Sequence, residues 1–183
     1  MLAESERLVV GYHGTSAHHA QEVLREGVFK PSKNDFDWLG HGIYFWEFAP
    51  CRAWRWAKLR YGTEAAVIES TIHLGRCLDL TDIRYTEAIR RTFDGLREAY
   101  AAKKKVMPVN RGKARVLDCL VINYVAEYVF PECDTVRAAF LEGPPIFEGS
   151  SYFSESHIQI VVRKPIGHIT DVCTVGVPED CEP

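Results

Sequence analysis

Gly11-Tyr-His-Gly-Thr-Ser16 and His41-Gly-Ile-Tyr-Phe-Trp46 are the two stretches that decide how this chain is read. In the first, a histidine stands between an apolar run and a glycine. In the second, a tyrosine sits inside a short apolar segment led by glycine. Each reads as a buried strand that ends where the backbone must come close to something else, since glycine carries no Cβ to hold a neighbour away.

Residues 7–13 read as a strand. Residues 17–27 read as a helix in which Ala20, Val23 and Leu24 share a face, with Ser16 as its cap and Gly27 as its stop. Residues 42–46 form a second short strand. Pro50 suits the first turn of a helix over 51–61, and Gly62 ends it. Alternation over 65–80 predicts a strand pair or one long bent strand, bent at Gly75. Tyr85, Ile89, Phe93, Leu96 and Tyr100 recur every three or four residues, so 84–103 is an amphipathic helix. Lys103-Lys-Lys105 lies at its C-terminal end, where cations favour the helix dipole. Val116, Leu117, Leu120, Val121, Tyr124 and Val125 mark another helix. Residues 156–163 read as a β-rich strand ended by Pro165, and 169–177 as a last one. The pattern predicts an α+β fold in one domain over 1–183, with strands at both ends and a helical insertion at about 84–130.

Hydrophobic residues make up 46% and charged residues 26%, which excludes a disordered chain. A net charge of −3 gives the average surface no attraction for nucleic acid, although local patches can differ. No apolar run approaches the roughly 18 residues of a membrane span. The opening MLAESERL lacks the long apolar core of a secretory signal. Six cysteines at irregular spacing, without Cys-x-x-Cys, predict reduced thiols and a cytoplasmic location. His18 and His19 are adjacent and cannot chelate from one helix face. No metal site is expected.

Two groups suggest chemistry. At His13-Gly14-Thr15, a strand end without a Cβ lets N–H and C=O face a ligand closely, and a carboxamide is the natural complement. Tyr44 offers a flat π-face to a planar cation such as a pyridinium. Either alone has an ordinary reading, a turn glycine or a core tyrosine.

Together they form an ordered pattern: His13-Gly14-Thr15, a helix closed by Gly27, Gly40-His-Gly42-Ile-Tyr44-Phe45, then the helix over 51–61. This order resembles the ADP-ribosyltransferase superfamily, in the branch of poly(ADP-ribose) polymerases and diphtheria toxin. Leu74-Gly-Arg-Cys-Leu-Asp-Leu80 is similar to the strand that follows in that family. The resemblance covers about 8–80, resumes at about 148–177, and is absent between.

The resemblance implies split antiparallel β-sheets with an NAD cleft, and transfer of ADP-ribose from NAD to an acceptor with release of nicotinamide. It implies that His13 binds the adenosine ribose hydroxyls, that the Gly14 backbone grips the carboxamide, and that Tyr44 stacks on nicotinamide. Thr15 or Ser16 offers a hydroxyl, and Gly42 and Phe45 flank the tyrosine. The third signature position falls on Gln159, with Glu155 as the alternative. Glutamine cannot take a proton near neutral pH, so single ADP-ribose units are expected and not chains. The family's serine and second tyrosine fall on Arg52 and Arg55, which leaves Trp54 or Trp56 to supply a second ring.

The acceptor is open. Lys103, Lys104, Lys105, Arg111, Lys113 and Arg115 form a basic stretch that suits a nucleic acid, and a protein acceptor fits equally at this level. Water as acceptor would make the chain an NAD glycohydrolase, as in toxins or anti-phage effectors that pair with an antitoxin. An inactive NAD- or ADP-ribose-binding module and an RNA 2′-phosphotransferase-like enzyme are further alternatives. No membrane partner is expected.

Overall fold

The computed structural model describes residues 1–178 and Cys181. Strand β1 (Glu4–Ser16) runs into helix α1 (Ala17–Glu26) without a loop. Ser16 makes this possible: its hydroxyl accepts from the His19 N–H at the helix start. Gly27 closes α1 in the left-handed conformation at φ 67°, and its N–H donates to the Val23 carbonyl at 2.7 Å. Next come β2 (Ile43–Glu47), α2 (Pro50–Tyr61) and the long β3 (Ala65–Asp79). The insertion consists of α3 (Thr86–Ala102) and α4 (Val116–Tyr124), the latter prolonged by a π turn over Val125–Val129. Strands β4 (Thr135–Phe140), β5 (His157–Val162) and β6 (Ile169–Val175) complete the sheet.

The architecture is α+β, and it is built from two three-stranded antiparallel layers. One is β1-β3-β6 and the other β2-β5-β4. Separate sheets were expected, and the structure corrects this: two short sutures join the layers into one closed sheet. At the first, β1 pairs with β2 at Gly11–Glu47 and Tyr12–Trp46. At the second, Cys77–Asp79 of β3 pairs with Thr135–Arg137 of β4, in parallel. β3 turns between its two partners at Gly75, whose φ is 55°. A Cβ there would lie 2.4 Å from the His168 ring.

Three apolar groups follow. Val9, Ile43, Phe45, Ile68, Ile72, Ile160 and Val162 fill the space between the layers, with Ala20 and Val23 of α1 at one end. The insertion helices pack Leu96, Val121, Ile122, Val125 and Ala126 on the outer face of β2-β5-β4, against Val136, Ala138 and Val161. Helix α2 packs Ala53 against Trp46 and Val67. It therefore covers the seam where the two layers meet.

Strand β4 is absent from the sequence reading. Its central Arg137 breaks the apolar pattern, yet the residue is 5% exposed. It is held by Glu47 at 2.5 and 2.9 Å and by Asp79 at 2.9 Å. The pairing with Glu47 and Asp79 pushes the Arg137 pKa up despite its burial. Glu47 and Asp79 lie on the two strands nearest the sutures, so this ion cluster ties both sutures from inside the sheet.

The thiol expectation also needs correction. Cys51, in the first turn of α2, forms a disulfide with Cys181, their Cα atoms 5.0 Å apart. Cys77, Cys119 and Cys133 are buried free thiols, and Cys173 is an exposed one. Among the described residues, no helix is long and apolar enough to cross a membrane.

Replacing Arg137 by Met should cost about 3–5 kcal/mol, because Glu47 would be left as a buried charge without its main partner. Denaturant unfolding at neutral pH measures it. A loss below about 1 kcal/mol would show that the cluster does not hold the sutures.

Candidate functional site

The first suture ends abruptly. The Phe48 N–H donates to the Val10 carbonyl at 3.0 Å, so even-numbered residues of β1 point their backbone groups toward β2. Continued pairing would put the Gly14 N–H on the Tyr44 carbonyl. Instead the ladder stops at Tyr12–Trp46, and the Tyr44 carbonyl lies 2.8 Å from Nδ1 of His13. An imidazole has replaced a backbone amide. Beyond this point β1 stays with β3 as far as Ser16–Ala65, and β2 stays with β5 as far as Ile43–Val162. The two strands diverge, and the Gly14 N–H and C=O project into the gap.

The His13 bond fixes its tautomer. A carbonyl only accepts, so Nδ1 carries the proton and Nε2 keeps a lone pair. Phe29 and Phe45 flank the ring at centroid distances of 5.4 and 5.6 Å. Burial lowers the His13 pKa, outweighing the bond to Tyr44 that opposes it. The ring is a neutral acceptor, suited to a hydroxyl.

Glycine at position 14 also has a packing reason. A Cβ would lie 2.7 Å from the Ala53 carbonyl and 3.1 Å from Cε3 of Trp56. Helix α2 thus presses on Gly14 directly, and the Trp56 ring stands over it. Trp56 is 37% exposed and lies against Trp46, 5.7 Å between centroids. Of the two tryptophans expected as a second ring, Trp54 is tied to the Gly176 carbonyl instead.

Tyr44 is half-buried on the face of β2 that also carries Trp46. Its hydroxyl donates to the Gly40 carbonyl at 2.8 Å and accepts from the Leu39 N–H at 3.0 Å. Burial, chiefly, raises its pKa, so it stays protonated. The clamp is in turn held by the insertion. Oδ1 of Asn123, on α4, accepts from the His41 N–H at 2.9 Å and from Arg163 at 2.9 Å. A Cβ on Gly40 would lie 2.6 Å from that oxygen. Sequence reasoning missed Asn123. Its only signal was one amide inside a run of apolar residues.

Gln159 sits opposite Trp46 on β2 and Ala138 on β4, so its side chain shares the face of Tyr44 and Trp46. Glu155 lies outside β5, and the two were expected to share one strand. Arg52 of α2 gathers what precedes the strand: it pairs with Glu142 and, at 3.4 Å, with Glu155. His157 stands beside this group and is 9% exposed. Its Nδ1 donates to the Glu155 carbonyl at 2.8 Å, and Nε2 is buried without a partner among the described residues. Burial lowers the His157 pKa. Arg55 is exposed.

The other expected residues are occupied elsewhere. Gly42 exchanges both backbone bonds with Ser32, at 2.8 and 3.1 Å, and packs on Val161. Phe45 is fully buried between the layers. Thr15 is buried, and Ser16 is the cap of α1. At the seam the structure brings together the Gly14 backbone, the Trp56 ring and the bond from His13 to the Tyr44 carbonyl. The Tyr44 and Gln159 side chains lie on the outer face of β2 and β5, whereas the His13 ring packs on the inner face against Phe29 and Phe45. The structure keeps Gly42, Phe45, Thr15 and Ser16 in supporting positions.

No protein-family model matches the chain. It is similar to an uncharacterized protein of Methanocaldococcus jannaschii, 29% identical over 122 residues. The match covers 62% of this chain and 54% of the relative, so the chain spans about half the length of that protein.

Two predictions follow from this geometry. His13 and His157 are both held neutral, so the unfolded chain takes up protons first as pH falls. Stability should be full above the ordinary histidine value of 6.5 and decline below it, toward the lowered folded values. Melting temperatures between pH 8 and pH 5 measure this, and the double variant His13→Gln, His157→Gln should flatten the curve. Separately, Asn123→Ala should cost about 0.5–1.5 kcal/mol by removing the oxygen that accepts from His41 and Arg163, whereas Asn123→Asp keeps the accepting oxygen and should cost less. Equal losses in chemical denaturation would refute the clamp.

Proposed function

We propose that this chain is an NAD-dependent mono-ADP-ribosyltransferase. The observation that carries the reading is the pair of Gly14 backbone groups left without a ladder partner where β1 and β2 part, with the His13 imidazole bonded to the Tyr44 carbonyl and the Trp56 ring beside them. A primary carboxamide has a donor and an acceptor on one edge and satisfies both Gly14 groups at once. Tyr44, fixed at its hydroxyl, and Trp56 offer ring faces to the nicotinamide. Nε2 of His13 accepts from a ribose hydroxyl. The Gln159 amide is the partner for the second ribose.

The reaction needs little acid or base to break the bond. The C1′–N bond to nicotinamide breaks, and nicotinamide leaves as a neutral base with the bonding pair. The acceptor nucleophile forms the new bond to C1′, and its proton passes to solvent. The residues contribute by holding the leaving ring and aligning the acceptor. Gln159 supplies no carboxylate to activate a ribose hydroxyl, so the product carries single units. The phosphotransferase alternative loses support, because Arg52 is committed to two carboxylates and is not free to hold a phosphate.

The test is titration calorimetry with NAD, followed by labelled NAD in cell extract. Wild type should bind. Tyr44→Ala should lose about tenfold in affinity, the worth of one aromatic platform, and Trp56→Ala a similar amount, while Trp54→Ala should lose none. Label should run as one discrete band per acceptor. Absence of heat with NAD would sink the reading. Binding without nicotinamide release would leave an inactive binding module, release without labelled acceptor a glycohydrolase, and a ladder would refute single-unit transfer.

A further inference from the structure

Resting on the transferase reading, we infer that the acceptor is a single-stranded nucleic acid, held by the segment 103–115 at the edge of the same site. This segment carries six cations and no carboxylate, in a chain whose net charge is −3. Most cations elsewhere are neutralised: Arg7, Arg25, Lys30, Arg52, Arg76, Arg84 and others lie in ion pairs. Among the described residues none of the six does. Lys103, Lys104, Lys105, Arg111 and Lys113 are all exposed. Two carboxylates on flanking segments are engaged by amides, Asp118 by Asn110 and Asp37 by the Asn34 N–H.

The segment is docked against the site. Arg111 and Ala114 exchange backbone bonds at 3.0 and 2.9 Å, forming a tight turn that presents Arg111 and Lys113. Asn110 ties that turn to α4 by accepting from the Leu117 N–H at 3.0 Å. The guanidinium of Arg115 donates to the Gly112 carbonyl and lies 4.9 Å over the Trp38 ring. Trp38 meets Phe140 edge-on at 4.5 Å, and Phe140 stacks on His157 at 5.6 Å. His157 is two residues from Gln159 on the same strand face. An unbroken run of packed side chains thus joins the basic turn to β5.

The charge selects a polyanion. Regularly spaced phosphates match a row of unpaired Lys and Arg, and neutralising them releases counterions. Phe36 lies beside this row, 48% exposed, as a surface for an unpaired base. A single strand is required because a nucleophile on a base has to reach the Gln159 side of the seam, and a paired base is shielded. A protein acceptor would need an acidic surface of its own.

The experiment is fluorescence anisotropy with labelled 20-residue single-stranded RNA and DNA of mixed sequence, on the full chain, from low to physiological salt. Wild type should bind at least one of them, with affinity falling as salt rises. The variants Lys103→Glu, Lys104→Glu, Lys105→Glu and Arg111→Glu, Lys113→Glu should each weaken binding at least tenfold and flatten the salt dependence. Melting temperature and the heat with NAD should be unchanged in both. The RNA and DNA arms identify which polymer is bound. Absence of binding at low salt, or variants that bind like wild type, would overturn the inference and leave the NAD reading standing. Label from NAD that marks only protein, with and without nuclease, would overturn it in the same way. Absence of NAD heat in wild type would instead remove the transferase reading.

Discussion

The bond from the His13 imidazole to the Tyr44 carbonyl is the constraint on which the site depends. It occupies the acceptor that the next ladder bond would use. A backbone pair would have carried the seam on to Gly14 and sealed it. The side chain reaches the carbonyl from β1 without bringing the strands to ladder distance, so they part there and not elsewhere. The bond satisfies a carbonyl, sets a tautomer and leaves the two backbone groups of Gly14 without a ladder partner on β2. Three consequences come from one hydrogen bond, and all three are what a carboxamide-bearing nucleotide would use.

Such an opening costs backbone pairing, and the fold offsets the cost at a distance. Glu47 of β2 and Asp79 of β3 are drawn together on Arg137 of β4, one ion cluster beside both sutures. Helix α2 covers the seam from outside and presses on Gly14 through Ala53. The seam is therefore open beside a short suture that is itself held firmly. Rigid edges around a gap are what a site needs if it works by holding a leaving group and not by proton transfer.

Much of this was legible in the sequence, and the reasons are local ones. The caps at Ser16 and Gly27, Pro50 at the start of α2, the bend at Gly75 and the period of α3 are all properties of neighbours along the chain. So was the reading of the His-Gly segment and of the Gly-Ile-Tyr-Phe segment as strands. What failed was long-range. Strand β4 carries an arginine whose partner is 90 residues away, and no pattern within Thr135–Phe140 announces it. The glycines show the same limit: the sequence says that something approaches Gly14 and Gly42 closely, and it does not say what. At Gly42 the neighbours are Ser32 and Val161, so its closeness serves the fold. At Gly14 helix α2 fills one side and the gap remains on another.

The insertion is where structure adds most to the sequence reading. Residues 84–130 lie outside the resemblance, yet they reach the site twice. Asn123 secures the turn that clamps the Tyr44 hydroxyl, and Arg115 secures Trp38 beside Phe140. Both contacts fall on the loop between α1 and β2, which precedes the tyrosine strand. One loop is thus read from two sides, by a neutral amide that fixes the ring and by a cation that belongs to an unpaired basic segment. Because α4 carries Asn123 and is capped by Asn110 of that segment, the ring and the basic turn are set by the same short helix. A helix that only filled the core would need neither residue. Val121, Ile122 and Val125 already bury its apolar face, and the polar residues on its other side are what couple the insertion to the seam.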